Sequence, residues 1–161
     1  MKVETGYLYF LKDEFYTKID DETVMSNKGI GHSRPTYFVI RDGGILWFIP
    51  LSKQIKKYQA ILKDKKARNK STDFILIRKI SGNDSVILIQ NAFPTLEKYI
   101  DKIYTKNGKP VEVAPALQKE ILEKFKNAKR LKYAGINVIF PDIVKLEKMM
   151  LAELKKDTDN K

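Results

Sequence analysis

Cysteine is absent from this chain, and histidine occurs once, at His32. Without thiols there are no disulfides, no zinc–thiolate or iron–sulfur ligation and no cysteine nucleophile, and one imidazole does not make a histidine metal cage. No Gly-x4-Gly-Lys-Ser/Thr loop occurs, and Gly29-Ile30-Gly31 does not extend into a dinucleotide fingerprint. The apolar run from Ile45 to Leu51 contains Pro50 and falls far short of the roughly 18 residues a membrane helix requires. The first residues, Met1-Lys2-Val3-Glu4-Thr5, carry an acid early and no long apolar stretch, so no secretory signal is expected and cytoplasmic residence follows. Acids gather only at Asp20-Asp21-Glu22, in a predicted loop. A metal-dependent nuclease needs several converging carboxylates; the expectation is therefore no metal and no cofactor.

What is present is a folded, basic protein. An apolar fraction of 43% with 8 Phe, 8 Tyr and 1 Trp in 161 residues supports a core, and that length suits one domain, read here as 1–154, with a polar tail at 155–161 expected to fray. From Lys53 to Lys70 there are eight basic residues and one acid, a net of +7 against +11 for the whole chain. Charge so concentrated, beside a serine at the end of an apolar strand, suits a polyphosphate chain. A membrane surface is the rival partner of a basic tract, but the apolar residues beside these lysines suffice only for one internal face, so no membrane contact is expected.

The pattern predicts a mainly antiparallel sheet with helices around it. Gly6 to Leu11 reads as a strand and Lys12 to Ile19 as a short helix. Thr36 to Arg41 and Ile45 to Ile49 flank Asp42-Gly43-Gly44, a hairpin signal, and Phe74 to Ile80 with Val86 to Ile89 flank Ser81-Gly82-Asn83-Asp84. Lys53 to Lys63 places Ile55, Tyr58 and Leu62 at helical spacing, leaving the lysines outside; Asp64 to Lys70 reads as a basic loop. Leu117, Ile121, Phe125, Ala128 and Leu131 form one stripe between Pro115 and Gly135, with Lys124, Lys126, Lys129, Arg130 and Lys132 on the outer side. Asp142 is placed to cap a last helix through Ile143, Leu146, Met150 and Leu154.

These residues fit metal-free RNA chemistry best. RNA supplies its own nucleophile, the 2′-hydroxyl, so the protein needs a base, an acid and cations around the phosphate. Ser52, Lys53, His32 and Lys56 are the candidates at the reacting phosphate. Arg34, Tyr37, Lys57, Tyr58, Lys63, Lys65, Lys66, Arg68, Lys70, Lys129 and Arg130 are the candidates for binding flanking RNA, with aromatic rings available to stack unpaired bases. Each has an ordinary alternative. Ser52 suits the N-cap of the following helix, a lone loop histidine suits a surface, and at least half of Tyr37, Phe38, Trp47 and Phe48 should be core. Gln90-Asn91 serves turn backbone or touches a base. A Ser–His–Asp hydrolase on Ser52 and His32 lacks a G-x-S-x-G elbow. A non-catalytic RNA-binding or translation-regulating module would use the same cations.

Several phrases together resemble a known family. His32-Ser33-Arg34-Pro35-Thr36-Tyr37-Phe38, Ile49-Pro50-Leu51-Ser52 and Ile55-Lys56-Lys57-Tyr58 are similar to the ToxN/AbiQ family of type III toxin–antitoxin endoribonucleases. Leu88-Ile89-Gln90-Asn91-Ala92-Phe93-Pro94 and Ile139-Phe140-Pro141-Asp142 resemble its CptN branch. The resemblance implies an α+β fold, a compact twisted antiparallel sheet with flanking helices and a MazF/Kid-like toxin core. It also implies a metal-independent endoribonuclease acting on cellular RNA and leaving a 2′,3′-cyclic phosphate, with growth inhibition and phage defence as its outcome. Its inhibitor would be a small RNA pseudoknot, processed by the toxin from a repeat precursor and held with it in a closed protein–RNA assembly. One position departs from the pattern: where relatives often carry two adjacent hydroxyl residues, this chain has Ser52-Lys53.

Overall fold

The computed structural model describes residues 2–26 and 34–160. Among them the order of elements is β1 (Leu8–Leu11), α1 (Asp13–Ile19), β2 (Thr36–Asp42), β3 (Ile45–Ser52), α2 (Ile55–Ala67), β4 (Ile75–Ile80), β5 (Asn83–Leu88), β6 (Phe93–Thr95), β7 (Ile100–Ile103), β8 (Thr105–Lys106), β9 (Lys109–Pro110), α3 (Pro115–Tyr133) and α4 (Ile143–Asp159). Strands pair antiparallel in the order β4-β5-β3-β2-β1-β7, with β6 added to β3. This is the expected α+β class with a mainly antiparallel sheet.

The hairpins arise from their turn residues. Gly43 takes φ +62 between β2 and β3, and a Cβ on Gly44 would run into a methyl of Leu154 in α4, so a side chain there would push that leucine aside. Ser81 and Gly82 both have positive φ, +52 and +82, the two-residue turn whose twist matches the flanking strands. Strand β5 therefore begins at Asn83, earlier than the four-residue turn expected.

β3 is buried along its whole length because β2 lies on one side and β6 and β5 on the other. Its Trp47 and Phe48, with Tyr37 and Phe38 of β2, are all 2% exposed or less, so all four belong to the core. Rings of Phe38 and Phe48 stack at 5.3 Å, and Phe15 of α1 stacks on Phe93 of β6 at 5.5 Å. Helix α3 buries Leu117, Ile121, Phe125 and Ala128 of the predicted stripe, with Leu131 half-buried at its end, and Phe125 meets Trp47 at 5.5 Å. Helix α2 makes a smaller core of its own: Tyr58 packs with Ile75, Val86 and Leu88 on the outer face of β4–β5. Alternation explains why that hairpin is apolar on both faces, since Leu76, Ile80 and Ile87 point to the main core.

Two helices run further than expected. α2 continues to Ala67, so Asp64 to Ala67 are helical and not loop. It ends in a Schellman arrangement: Lys70 N–H donates to Lys65 O at 2.7 Å, Asn69 N–H to Lys66 O at 3.2 Å, and Asn69 sits at φ +57. α4 starts as predicted, the Asp142 carboxylate accepting from Lys145 N–H, but extends to Asp159, through most of the tail. There Lys98 reaches Asp157 at 2.7 Å and Glu153 at 2.6 Å. Burial alone would raise the Glu153 carboxyl, but donors from Lys98, Tyr99 and Lys18 outweigh it and hold its pKa at about 2.

Candidate active site

The end of β3 is a change of environment. Ser52 is 4% exposed, whereas the next residue, Lys53, stands in solvent. Ser52 Oγ accepts the N–H of Gln54 at 3.1 Å, which leaves its hydroxyl hydrogen available to another acceptor. Helix α2 begins only at Ile55, with Gln54 at the N-cap and no side-chain cap. Ser52 is thus not the helix cap; it folds a local turn before the helix and stays at the strand end.

Arg34 supplies a cation beside it. Its guanidinium donates through Nη1 to Leu51 O at 2.9 Å and through Nε to Ser26 O at 3.3 Å. Only 8% of the residue is exposed, and burial pushes its pKa down, yet a guanidinium stays charged in a protein. The result is a fixed positive charge against the carbonyl that precedes Ser52.

Arg34, Ser52, Lys53 and Lys106 line the polar side of a cleft of about 690 Å³, and Leu8, Phe10, Ile80 and Tyr104 its apolar side. β1 and the β4–β5 turn are separated in the sheet by β2 and β3, yet both reach this cleft. The sheet must therefore curl, and the cleft opens where the curl leaves the end of β3 uncovered. Lys106 Nζ donates to Ser81 O at 3.2 Å, fastening the β8–β9 hairpin to the β4–β5 turn across the opening. Asp84 is the acid of the lining, and it lies 3.5 Å from Lys79. Among the described residues of the lining, three cations face one paired acid, a balance that favours an anion.

The other predicted residues are distributed over the surface and core. His32 lies outside the described residues. Lys56 and Lys57 are exposed on the first turn of α2, away from the cleft lining. Tyr37 is 2% exposed, and burial pushes its hydroxyl up to about 12; Tyr58 is 6% exposed beneath α2. Neither ring presents a face for a base, so both expectations of RNA stacking are corrected to core packing. Lys63 and Lys66 border a trough of about 490 Å³ with Arg78 and Lys124, while Lys65 and Lys70 border a separate hollow. Arg68 pairs with Asp64 at 3.7 Å. Lys129 stands 4.4 Å over the Trp47 ring and within 4.0 Å of both Asp42 and Glu147, and Arg130 donates to Asn127 at 2.7 Å.

Lys106 and Tyr104 line the cleft although no pattern in the sequence marks them as site residues. Asn107-Gly108, with φ +54 and +77, is the dipeptide most favoured in a two-residue hairpin, and it is the signal that would have placed Lys106 on an exposed turn. Asn91, by contrast, does serve backbone, donating to Thr23 O at 3.2 Å. Among the described residues no three His, Asp or Glu side chains gather as a metal site would require, and no helix is long and apolar enough to cross a membrane.

No protein-family model matches the sequence, and no curated protein matches it. The fold is shared with proteins of type III toxin–antitoxin systems. AbiQ, a lactococcal anti-phage endoribonuclease of such a system, aligns with a TM-score of 0.69 and 16% identity over 94% of this chain and 99% of its own. A protein of a bacterial type III system known for selective toxin inhibition by a non-coding RNA pseudoknot aligns with a TM-score of 0.69 and 18% identity, over 93% of this chain and 98% of that one.

Proposed function

We propose that this chain is the endoribonuclease toxin of a type III toxin–antitoxin system. The observation that carries the reading is the end-to-end fold match with AbiQ, an endoribonuclease of that class; the cation-lined cleft at the end of β3 supports it. In this reading the 2′-oxygen of the substrate attacks the neighbouring phosphorus and the P–O5′ bond breaks. A 2′,3′-cyclic phosphate and a 5′-hydroxyl result, with no metal. Lys53 and Arg34 balance the charge that develops on the non-bridging oxygens, and the Ser52 hydroxyl donates to one of them. His32 is the candidate for one of the two proton transfers, removal from the 2′-hydroxyl and return to the 5′-oxygen, whereas Lys56, outside the cleft lining, would have to reach in from the first turn of α2 to serve the other. Lys53 in place of a second hydroxyl then exchanges a neutral donor for a cation at the same strand end. The inhibitor is a small pseudoknot RNA that the enzyme trims from a repeat precursor and that occupies the cleft in a closed assembly.

The test is incubation of the purified protein with RNA in excess EDTA, followed by mass analysis of the 3′ ends. Cyclic phosphates are expected, and Lys53→Ala should lower the cleavage rate by about 10²- to 10³-fold, as loss of one donor to a developing oxyanion does. RNA bound but left intact by the wild type would favour a binding module and sink the nuclease reading.

A further inference from the structure

The basic tract ends at a hollow the proposed chemistry does not use. Where the Schellman turn at Asn69 reverses the chain, Lys65 on the last turn of α2 and Lys70 after it border the same cavity, of about 130 Å³. Its other lining includes Phe74 and Val138 and, from distant parts of the chain, Gln90 and Phe140. Phe140 is 43% exposed, an unusual state for a phenyl ring in a chain whose other phenylalanines are mostly buried. It is held there by its own backbone: Phe140 N–H donates to Gln90 O at 2.8 Å, and Gln90 N–H donates to Phe74 O at 3.1 Å. These bonds fix the ring beside Gln90, a half-buried residue whose carboxamide has no hydrogen-bond partner among the described residues.

A phenyl ring 43% exposed at the hollow, an unused donor–acceptor group sharing its lining and two cations without an ion pair among the described residues make up the parts of a single-stranded base site. The cavity is too small for a drug-sized metabolite but takes one planar ring. We propose that it holds a single unpaired nucleobase of bound RNA, adenine by preference, stacked on Phe140 with its edge hydrogen-bonded to Gln90 and its phosphates flanked by Lys65 and Lys70. A carboxamide offers one donor and one acceptor side by side, the complement of adenine N7 and its N6 amino group. The position is apart from the cleft. Ser52 pairs with Val86 and Val86 with Ile77, so Phe74 lies two strands across and three residues along, about 14 Å away by ordinary strand spacings. The site would thus fix a nucleotide some distance from the scissile phosphate and set where along an RNA the cut falls. It rests on the reading of this protein as an RNA binder, not on its being a nuclease.

The experiment uses fluorescent oligo(U) decamers with one central A, C, G or U and 2′-fluoro groups throughout, which remove the nucleophile and leave binding alone to be measured. The wild type should bind the A-containing decamer most tightly. Phe140→Ala should weaken that complex by about 5- to 150-fold, the range of one lost base–aromatic stack, while Phe140→Trp retains it. Gln90→Leu should keep stacking yet abolish the preference for A. Melting of Phe140→Ala should fall by only a few degrees, because the residue is 43% exposed and only part of its area is lost from burial. Equal binding of all four decamers, or a preference untouched by Gln90→Leu, overturns the proposal even if the protein cleaves RNA. Preferential binding without cleavage in EDTA would leave the base site standing and remove the nuclease.

Discussion

Helices α2 and α3 both carry a row of cations on their outer sides, and the fold surrounds the two rows differently. On α2 and its exit, Lys63, Lys65, Lys66 and Lys70 make no ion pair among the described residues, and the acid at Asp64 is taken by Arg68. On α3, Lys124 reaches Asp73 at 3.8 Å, Lys129 is shared between Asp42 and Glu147, and Lys132 donates to Asn137 at 2.6 Å. The acids come from the end of β2, the loop before β4 and helix α4, all outside α3 itself. The α2 row is left for an anion from outside, whereas Lys124 and Lys129 of the α3 row join that helix to its neighbours, although Lys124 also borders the trough of Lys63 and Lys66 and Lys126 makes no ion pair among the described residues. Sign and density of charge do not distinguish a binding face from a structural one; the acids that the fold brings alongside do.

The largest effect that could break this contrast is on RNA affinity. Replacing Lys63, Lys65, Lys66 and Lys70 together by Gln should reduce the slope of log affinity against log salt by about 3, which at 0.1 M salt is about 10²- to 10³-fold weaker binding to single-stranded RNA. The melting temperature should hardly move. The matched set on α3, Lys124, Lys129, Arg130 and Lys132 to Gln, should leave the salt slope nearly intact and lower the melting temperature. Equal losses of salt slope in the two sets would mean that the α3 cations also bind RNA, as their sequence suggested, and that their ion pairs open in the complex.

A smaller effect isolates Lys129. Its ammonium lies over the Trp47 ring with only 26% of the side chain exposed. Lys129→Met keeps the stem and removes the charge, so the expected loss is that of a partly desolvated cation–π contact, about 0.5–2 kcal/mol. For a domain of this size that is a fall of about 1–8 °C in thermal melting. Unchanged melting would show that the ion pairs and the ring contact contribute nothing net, and would return Lys129 to the pool of available cations.

Much of the architecture could be read from residue patterns because local chemistry and burial agree there. Asp42-Gly43-Gly44 and Ser81-Gly82 announce their hairpins, and the α3 stripe is bounded by Pro115 and by Gly135, whose φ of +92 ends the helix. Reading failed where elements are too short to show a period: β6 to β9 have two to four residues each. It failed at Asp64 to Ala67 because helical lysines and loop lysines look alike when no apolar stripe continues. Tyr37 and Tyr58 misled because a tyrosine in an amphipathic element fits a core as well as a base. Of the cleft, Ser52, Lys53 and Arg34 were legible, as they adjoin one strand end. Lys106 was not, since its arrival depends on the curl of the whole sheet.

The smallest effect concerns the device that ends α2. Asn69 holds φ +57, a conformation that costs an ordinary L-residue roughly 1–2 kcal/mol and glycine almost nothing. Asn69→Gly should therefore leave stability within a few tenths of a kcal/mol of the wild type, whereas Asn69→Ala should lower it by about 1 kcal/mol in chemical denaturation. The functional consequence separates the two helices again. Lys65 O accepts from Lys70 N–H only while this turn holds, so fraying in Asn69→Ala should weaken RNA binding slightly through Lys65 and Lys70 and leave the α3 cations untouched. The corresponding change on α3, Gly135→Ala, strains a residue at φ +92 and should cost stability with no change in RNA affinity. If both substitutions reduced affinity alike, α2 would have no privileged role, and the convergence of Lys65 and Lys70 would be an accident of where a helix stops.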